Sequence, residues 1–171
     1  MREAIILRQE IIDNALYRLD ESTRMIKSSL KRLHDEDVWK KPNDSSNSIG
    51  NLILHLCGNM HQYIIAALGN SVDIREREKE FSATSGFTKE ELLGMLQEKV
   101  DLVKETIKTC TITNLLDKRE VQGFNFSGIG IILHVVEHYS YHTGQIAYWT
   151  KIIKNQDLGF YAGIDLTVKN N

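Results

Sequence analysis

Residues 133–146 are Leu-His-Val-Val-Glu-His-Tyr-Ser-Tyr-His-Thr-Gly-Gln-Ile, a stretch that holds three of the six histidines of the chain. His134, His138 and His142 follow one another at intervals of four residues. On an α-helix, a step of four residues turns about 40° past a full circle and rises about 6 Å, so the three imidazoles share one stripe. Two imidazoles at positions i and i+4 of a helix can bind the same metal ion. A third ligand would have to come from another segment.

Apolar periodicity around this stretch predicts four long helices and an all-α protein. The predicted helices cover about Glu3 to His34, Ser48 to Leu68, Lys89 to Thr109 and Ser127 to Lys154. Ser48 or Asn47 is the expected cap of the second helix, and Thr88 with Glu91 forms a capping box before the third. The single proline and the four helices favour a four-helix bundle with long connections. We expect one domain over 1–171, with its core at 3–154 and a C-terminal tail at 155–171.

Three connections separate the predicted helices. Residues 35–47 are polar, and Pro42 prevents a helix from continuing through them. The large side chain of Trp39 is expected to anchor this loop on the bundle. Residues 73–81 are strongly charged, which predicts a solvated segment with Phe81 as its possible anchor. Residues 116–128 have a mixed composition that indicates a partly extended connection.

Composition excludes several classes of function. The 171-residue chain has a formal net charge of −2 and a pI near 6.3, with its charges scattered, so nothing indicates nucleic acid or membrane as a partner. The apolar run 129–136 is far shorter than a membrane span of about 20 residues. The amino terminus lacks the apolar region of a signal peptide, so we expect a cytoplasmic protein in which Cys57 and Cys110 are buried free thiols.

The second predicted helix carries another candidate ligand. His55 lies between Leu54 and Leu56, in line with Asn51 and Asn59 at four-residue steps. Polar side chains in such a stripe need hydrogen-bond partners. The two asparagines are candidates for groups that support a ligand histidine without binding the metal themselves. The position of His134 allows a ligand, a supporting group or a structural histidine. The alternative for the whole set is a bundle in which the histidines only hydrogen-bond one another.

Two motifs carry a resemblance to a known family. Residues 137–146 resemble the His-x3-His-x-Gly-Gln signature of the DinB/YfiT-like superfamily, and residues 48–56 are similar to its second-helix segment. The resemblance covers most of the chain and is closest to a subgroup of unknown function. It implies a four-helix bundle of the DinB type with an unusual connection order, and a divalent ion held by His55, His138 and His142. Nickel or zinc is the expected ion, with iron or manganese as further options. Thr143 departs from the pattern, since many members have Arg there.

Three imidazoles leave a divalent ion with open positions, as in catalytic sites. Characterised members of the superfamily include thiol transferases and a glutathione-dependent isomerase, so the resemblance implies a small-molecule substrate and an S-transferase-like enzyme that activates a low-molecular-weight thiol. The alternatives are a hydrolase that uses metal-bound hydroxide and a non-enzymatic metal-binding or stress-related module. The aromatic residues of the histidine helix, with the resemblance, also predict a homodimer.

Overall fold

The computed structural model describes residues 2–170, which form a helical protein with one short β-hairpin. The α-helices are α1 (Arg2–Leu30), α2 (Ile49–Met60), α3 (Arg77–Ser82), α4 (Lys89–Thr109), α5 (Ile112–Leu116) and α6 (Gly128–Lys154). A 3₁₀ turn covers Asp35–Trp39, and a π-helical segment, His61–Leu68, continues α2 without a break. The strands β1 (Lys118–Val121) and β2 (Phe124–Ser127) pair antiparallel.

Four helices build the bundle. Helix α1 packs against α6 and α4, and α2 packs against the same two helices from the other side. Their apolar stripes meet in one core, because burying such a face is what stabilises an amphipathic helix in water. Fully buried members include Leu19, Ile26, Ile53, Leu56, Leu96, Val103, Ile132 and Ile146. The prediction of an all-α bundle is confirmed.

The ends of the helices follow local chemistry. Ser48 Oγ accepts a hydrogen bond from Asn51 N at 3.1 Å at the start of α2, and Thr88 does the same for Glu91 N at the start of α4. Both predicted caps are confirmed. Helix α1 ends at Leu30 and not at His34, because Arg32 N and Leu33 N bond to carbonyls three residues back, which tightens the chain out of the α-helix.

The first connection is anchored as predicted. The Trp39 indole Nε1 donates to the Phe87 carbonyl at 3.0 Å, and its ring covers Gly50 so closely that a Cβ there would lie 2.7 Å from it. Glycine at this position therefore lets the ring lie directly on the α2 backbone. Beside it, the buried Asp37 carboxylate accepts hydrogen bonds from Lys154 Nζ at 2.6 Å and Lys40 Nζ at 2.8 Å, which ties this turn to the end of α6.

The predicted solvated connection at residues 73–81 is correct for most of its positions, which are exposed, and Phe81 anchors it beside His55. The prediction is wrong for Arg75 and Glu80. The second half of the connection forms α3, and the Arg75 and Glu80 side chains are only 2% and 8% exposed. The two residues form a double hydrogen bond, so burial of each charge is compensated by the other. Asn51 fixes the backbone of the same segment by donating to the carbonyls of Glu80 at 2.9 Å and Ala83 at 2.7 Å.

The other connections agree with the sequence. Residues 116–128 contain the hairpin, which confirms a partly extended connection. The tail beyond Asn155 is mostly exposed, apart from Leu158. Cys57 and Cys110 are buried and free. Among residues 2–170, every helix is too short or too polar to cross a membrane.

Candidate metal centre

Helices α2 and α6 bring three histidines together. His55 Nε2 lies 3.0 Å from His138 Nε2, and His142 Nε2 lies 3.2 Å from the same atom. The candidate ligand atoms of all three residues lie within 4.8 Å of one another. His55 is buried, whereas His138 and His142 are half-buried on α6. The i, i+4 spacing on one helix and a single residue on its neighbour thus produce a compact cluster, which we call the histidine triad.

The outer nitrogen of His55 is held by a carboxylate. Glu80 Oε2 lies 2.9 Å from His55 Nδ1, and the Arg75 guanidinium holds the same carboxylate at 2.8 and 2.9 Å. Burial alone would raise the pKa of Glu80, but the hydrogen bonds from Arg75 and His55 outweigh it and lower the pKa. Arg75 Nη2 also lies 3.1 Å from His55 Nδ1, but Glu80 is nearer and an ionised carboxylate can only accept. We therefore assign the proton to His55 Nδ1, which leaves the Nε2 lone pair facing the triad.

His142 is oriented in the same way. Its Nδ1 lies 2.7 Å from Gln145 Oε1, one turn later on α6. An amide oxygen accepts, so Nδ1 donates and Nε2 again faces the triad as a lone pair. A hydrogen bond between metal-ligating histidine and an outer oxygen is the usual way in which proteins fix the ring and its tautomer.

The arrangement of the triad fits a divalent ion. His138 Nε2 faces two nitrogen lone pairs, and a single N–H there could satisfy only one of them. Within residues 2–170, His138 Nδ1 is buried and has no hydrogen-bond partner. Ligand nitrogens around a tetrahedral ion are separated by about 3.3 Å, given metal–nitrogen distances near 2.0–2.1 Å. The separations of 3.0 and 3.2 Å from His138 Nε2 are close to that value, and the third separation, between His55 and His142, lies within 4.8 Å.

The imidazoles of α6 are held in the neutral form that binds metal. Burial, together with smaller contributions from the neighbouring His142 and His55, lowers the pKa of His138 to about 3. Burial also lowers the pKa of His142, with partial compensation from the Gln145 hydrogen bond. Metal and protons compete for the same nitrogen, so neutral imidazoles are prepared to coordinate at pH 7.

The remaining candidates lie near the triad with different contacts. Asn51 bonds to the backbone at Glu80 and Ala83 and reaches His55 only through that segment. Asn59 Nδ2 donates to His134 Nε2 at 3.3 Å, so this nitrogen of His134 is occupied. The His134 ring stacks on Tyr63 at 4.1 Å and on His138 at 5.5 Å. His134 therefore packs beside a triad member.

Aromatic rings lie beside two triad members and beside His134. Phe81 from the end of α3 lies 4.7 Å from the His55 ring, and Tyr141 lies 4.9 Å from the His142 ring. Phe126 of β2 adds a stacked ring 6.3 Å from His134. Such apolar neighbours lower the local dielectric and limit access by water, which strengthens electrostatic interactions at the site.

Comparison with known families finds one that matches most of the chain. Residues 7–162 match the family described as "Protein of unknown function (DUF1572)", which is most of the chain. The chain belongs to the DUF1572 family. No curated protein matches this DUF1572 chain.

Solved structures share the fold of the DUF1572 chain. A conserved protein from Enterococcus faecalis has a TM-score of 0.73 at 14% identity, covering 84% of this chain and 97% of its own. A DinB-like protein from Bacillus cereus has a TM-score of 0.68 at 14% identity, with coverages of 85% and 91%. The DinB-like YjoA protein from Bacillus subtilis gives 0.64 at 13% identity, with 86% and 94%. The predicted DinB-type fold is confirmed, and metal ligation by the triad stays a prediction.

Sequence reasoning missed three side chains of this DUF1572 protein that contact the triad histidines or their partners. Glu80 and Arg75 lie in a charged segment that resembles a solvated surface, and no periodicity distinguishes them from their neighbours. One signal could have pointed to Glu80. A buried His55 with its Nε2 directed at a metal needs a hydrogen-bond acceptor for its other nitrogen. Gln145 was visible as part of the motif but had no assigned role until the structure placed it against His142.

Proposed function

We propose that this DUF1572 protein is a divalent-metal-dependent enzyme whose ion is held by His55, His138 and His142. One observation carries the proposal. Glu80 and Gln145 fix the outer nitrogens of two imidazoles, so that their Nε2 lone pairs converge on the Nε2 of the third. Three protein ligands leave positions of the ion open for a substrate, as in catalytic sites.

We further propose that the substrate is a low-molecular-weight thiol and the reaction is its transfer to an electrophilic carbon. A bound divalent ion supplies the charge that keeps a thiol ionised near neutral pH. Activation of water in a hydrolase is commonly assisted by a free carboxylate base. The buried carboxylate of this site, Glu80, is already bonded to Arg75 and to His55 Nδ1. An external thiol needs less help, since its ordinary pKa is already about 8.5.

The chain's own thiols are unsuited to this role. Cys57 and Cys110 are both buried, and burial raises the pKa of Cys57 to about 12 and also raises the pKa of Cys110. A thiol with a raised pKa is almost entirely protonated at neutral pH and is a poor nucleophile. The reacting sulfur is therefore taken from a small molecule in solution.

Nickel and zinc are the ions that we propose first, followed by iron and manganese. Imidazole nitrogen suits zinc, nickel, copper and iron. The preference for nickel or zinc comes from the resemblance of the two histidine motifs to DinB-type proteins.

The test is thiol-dependent turnover of the untagged protein loaded with nickel or zinc. Glutathione or cysteine is mixed with 1-chloro-2,4-dinitrobenzene, so that a carbon–sulfur bond forms while chloride leaves and the thiol proton passes to buffer. We expect turnover that is lost on chelation and in His142→Ala. Turnover unaffected by chelation would refute the proposal, and ester hydrolysis without added thiol would favour the hydrolase.

We also propose that the protein is a homodimer located in the cytoplasm. Tyr141 and Tyr148 are 62% and 69% exposed on α6, and exposed aromatic side chains are frequent at protein interfaces. Tyr139, in contrast, is buried within the bundle and hydrogen-bonds Thr23. Analytical ultracentrifugation of the wild type beside a Tyr141→Ser, Tyr148→Ser variant tests the association.

A further inference from the structure

An open cavity is lined in part by Arg75 and Glu80, the ion pair that contacts His55 Nδ1. It has a volume of about 480 Å³ and lies between α2, the residues leading into and through α3, and α4. Its floor is one stripe of α2 with steps of three and four residues, formed by Leu54, Cys57, Gly58 and His61. We call this cavity the α2–α4 cleft. Its volume is within the range of small-molecule sites, about 300–1,000 Å³.

The α2–α4 cleft is mainly apolar. Apolar side chains from all three sides line it: Leu54, Cys57, Ile74, Ala83, Phe87 and Met95. Ile74 and Phe87 are exposed at its rim, although large apolar side chains are usually buried. This surface suits a ligand with an apolar body.

One positive charge in the cleft has no counter-charge. Five charged residues line the cleft, and Glu80 pairs with Arg75 while Glu76 pairs with Lys79. Lys99, the fifth, is half-buried on α4 and takes part in no ion pair with any carboxylate of residues 2–170.

The neighbour of Lys99 leaves its ammonium group available. His61 Nε2 lies 3.1 Å from the Val72 carbonyl, which can only accept, so Nε2 is the donor of this hydrogen bond. His61 Nδ1 is then an acceptor, and Lys99 Nζ lies 3.4 Å from it. An ammonium group has three donors, so further N–H groups of Lys99 can be directed at a ligand.

We propose that the α2–α4 cleft is a binding site for a small amphipathic carboxylate, with its apolar body on the α2 stripe and its carboxylate on Lys99. The ammonium group of Lys99, which has no counter-charge, favours an anionic ligand. The apolar lining of the cleft favours a ligand with an apolar chain or ring. This site is separate from the triad, because His55 presents Nε2 to the triad and Nδ1 to Glu80 at the cleft wall. A ligand here would thus contact the ion pair that orients His55.

The test is isothermal titration calorimetry with decanoate, using decanol as the uncharged probe of the same length. We expect one decanoate per chain, with decanol binding about tenfold more weakly because it lacks the charge-assisted hydrogen bond. Lys99→Met should weaken decanoate binding by a similar factor. Lys108→Met is the matched control, because Lys108 is on the same helix, outside the cleft, and pairs with Glu105. The affinity of the Lys108→Met variant for decanoate should equal that of the wild type.

Two further variants separate this site from the triad and from unfolding. The His138→Ala, His142→Ala variant removes two triad histidines and should still bind decanoate, which shows that a metal-bound carboxylate is not being measured. Met95→Trp fills the cleft without changing charge and should abolish binding while the thermal transition is retained. The proposal would be overturned if the wild type did not bind decanoate. It would also be overturned if Lys99→Met and Met95→Trp bound decanoate as tightly as the wild type. Neither result would bear on the metal proposed at the triad.

Discussion

Glu80 and His55 are 25 residues apart in sequence, and Glu80 Oε2 accepts a hydrogen bond from His55 Nδ1 at 2.9 Å in the interior of the protein. Arg75 holds the same carboxylate from the other side. The pair joins α3 to the candidate ligand of α2. A segment that connects two bundle helices therefore controls the tautomer and orientation of His55.

Replacement of Glu80 by Gln should weaken metal binding by about 10- to 100-fold, because the amide orients His55 less firmly and does not increase its basicity. The measurement is a competition titration with a chromophoric chelator, using zinc and then nickel. Glu78→Gln is the matched control, since Glu78 is exposed on the same short helix. Equal affinities in Glu80→Gln and wild type would show that the carboxylate does not support the ligand.

Metal content should depend on the two histidines of α6. The untagged wild type should contain about one ion per chain after reconstitution, and the His138→Ala, His142→Ala variant should contain almost none, because one imidazole cannot hold the ion. Elemental analysis measures both. His34→Ala is the control, since His34 is exposed and belongs to the loop region beyond α1. Equal metal in the double variant, or none in the reconstituted wild type, would contradict the proposed ligands.

Gly58→Ala should disturb the ion pair behind His55. A Cβ at this position would lie 1.9 Å from Glu80 Oε1 and 3.1 Å from Arg75 Nε, so the carboxylate must move. We expect a loss of about 1–3 kcal/mol in the free energy of unfolding, typical of overpacking, and weaker metal binding. Urea unfolding and the chelator titration measure these effects.

Gly94→Ala is the matched comparison for that substitution. Gly94 is exposed within α4, and a Cβ there would meet nothing within 4 Å. Alanine should therefore stabilise the protein by up to about 1 kcal/mol through its higher helix propensity. If both variants showed the same gain, the close approach of Glu80 to the α2 backbone would be refuted.

Asp37→Asn should destabilise the protein in a pH-dependent way. Burial alone would raise the pKa of Asp37, but hydrogen bonds from Lys154, Lys40 and the His34 backbone lower it well below its usual range. The substitution should cost about 3 kcal/mol at pH 7, since it leaves cations without their buried partner. A carboxyl group whose pKa is depressed by folding stabilises above its unfolded pKa, near 3.9, and loses this contribution as the pH falls toward its folded pKa.

The difference between Asp37→Asn and wild type should consequently shrink between pH 5 and the acid limit of folding. Urea unfolding at several pH values measures it. Asp44→Asn, at an exposed position of the same connection, should match the wild type throughout. If the difference in the free energy of unfolding grew on acidification, the ion pair would be excluded as its cause.

The bundle and the triad were predictable because both follow helical geometry. Periodic apolar residues specify which faces are buried, and a four-residue step places His138 and His142 together whatever the rest of the chain does. The caps at Ser48 and Thr88 follow from side chains that bond within the next turn. Each of these features is local in sequence.

The features that were missed depend on tertiary contacts. Burial of Glu80 and Arg75 requires His55, Gly58 and Asn51 at the same place, and their charged segment alone favours solvent. The π-helical continuation of α2 has no compositional signal either, since hydrogen bonding to the fifth residue uses the same side chains as an α-helix. Such features are determined by tertiary packing and not by the local sequence.

The histidines of the triad lie on two long helices, whereas nearby aromatic rings come from shorter elements: Phe81 of α3 lies beside His55, and Phe126 of the β-hairpin stacks on His134. Helices of a packed bundle tolerate little change, and short surface elements tolerate much more. If the proposed function is right, libraries restricted to the hairpin should alter substrate preference while the three triad histidines are kept. The DUF1572 scaffold would then be a starting point for directed evolution.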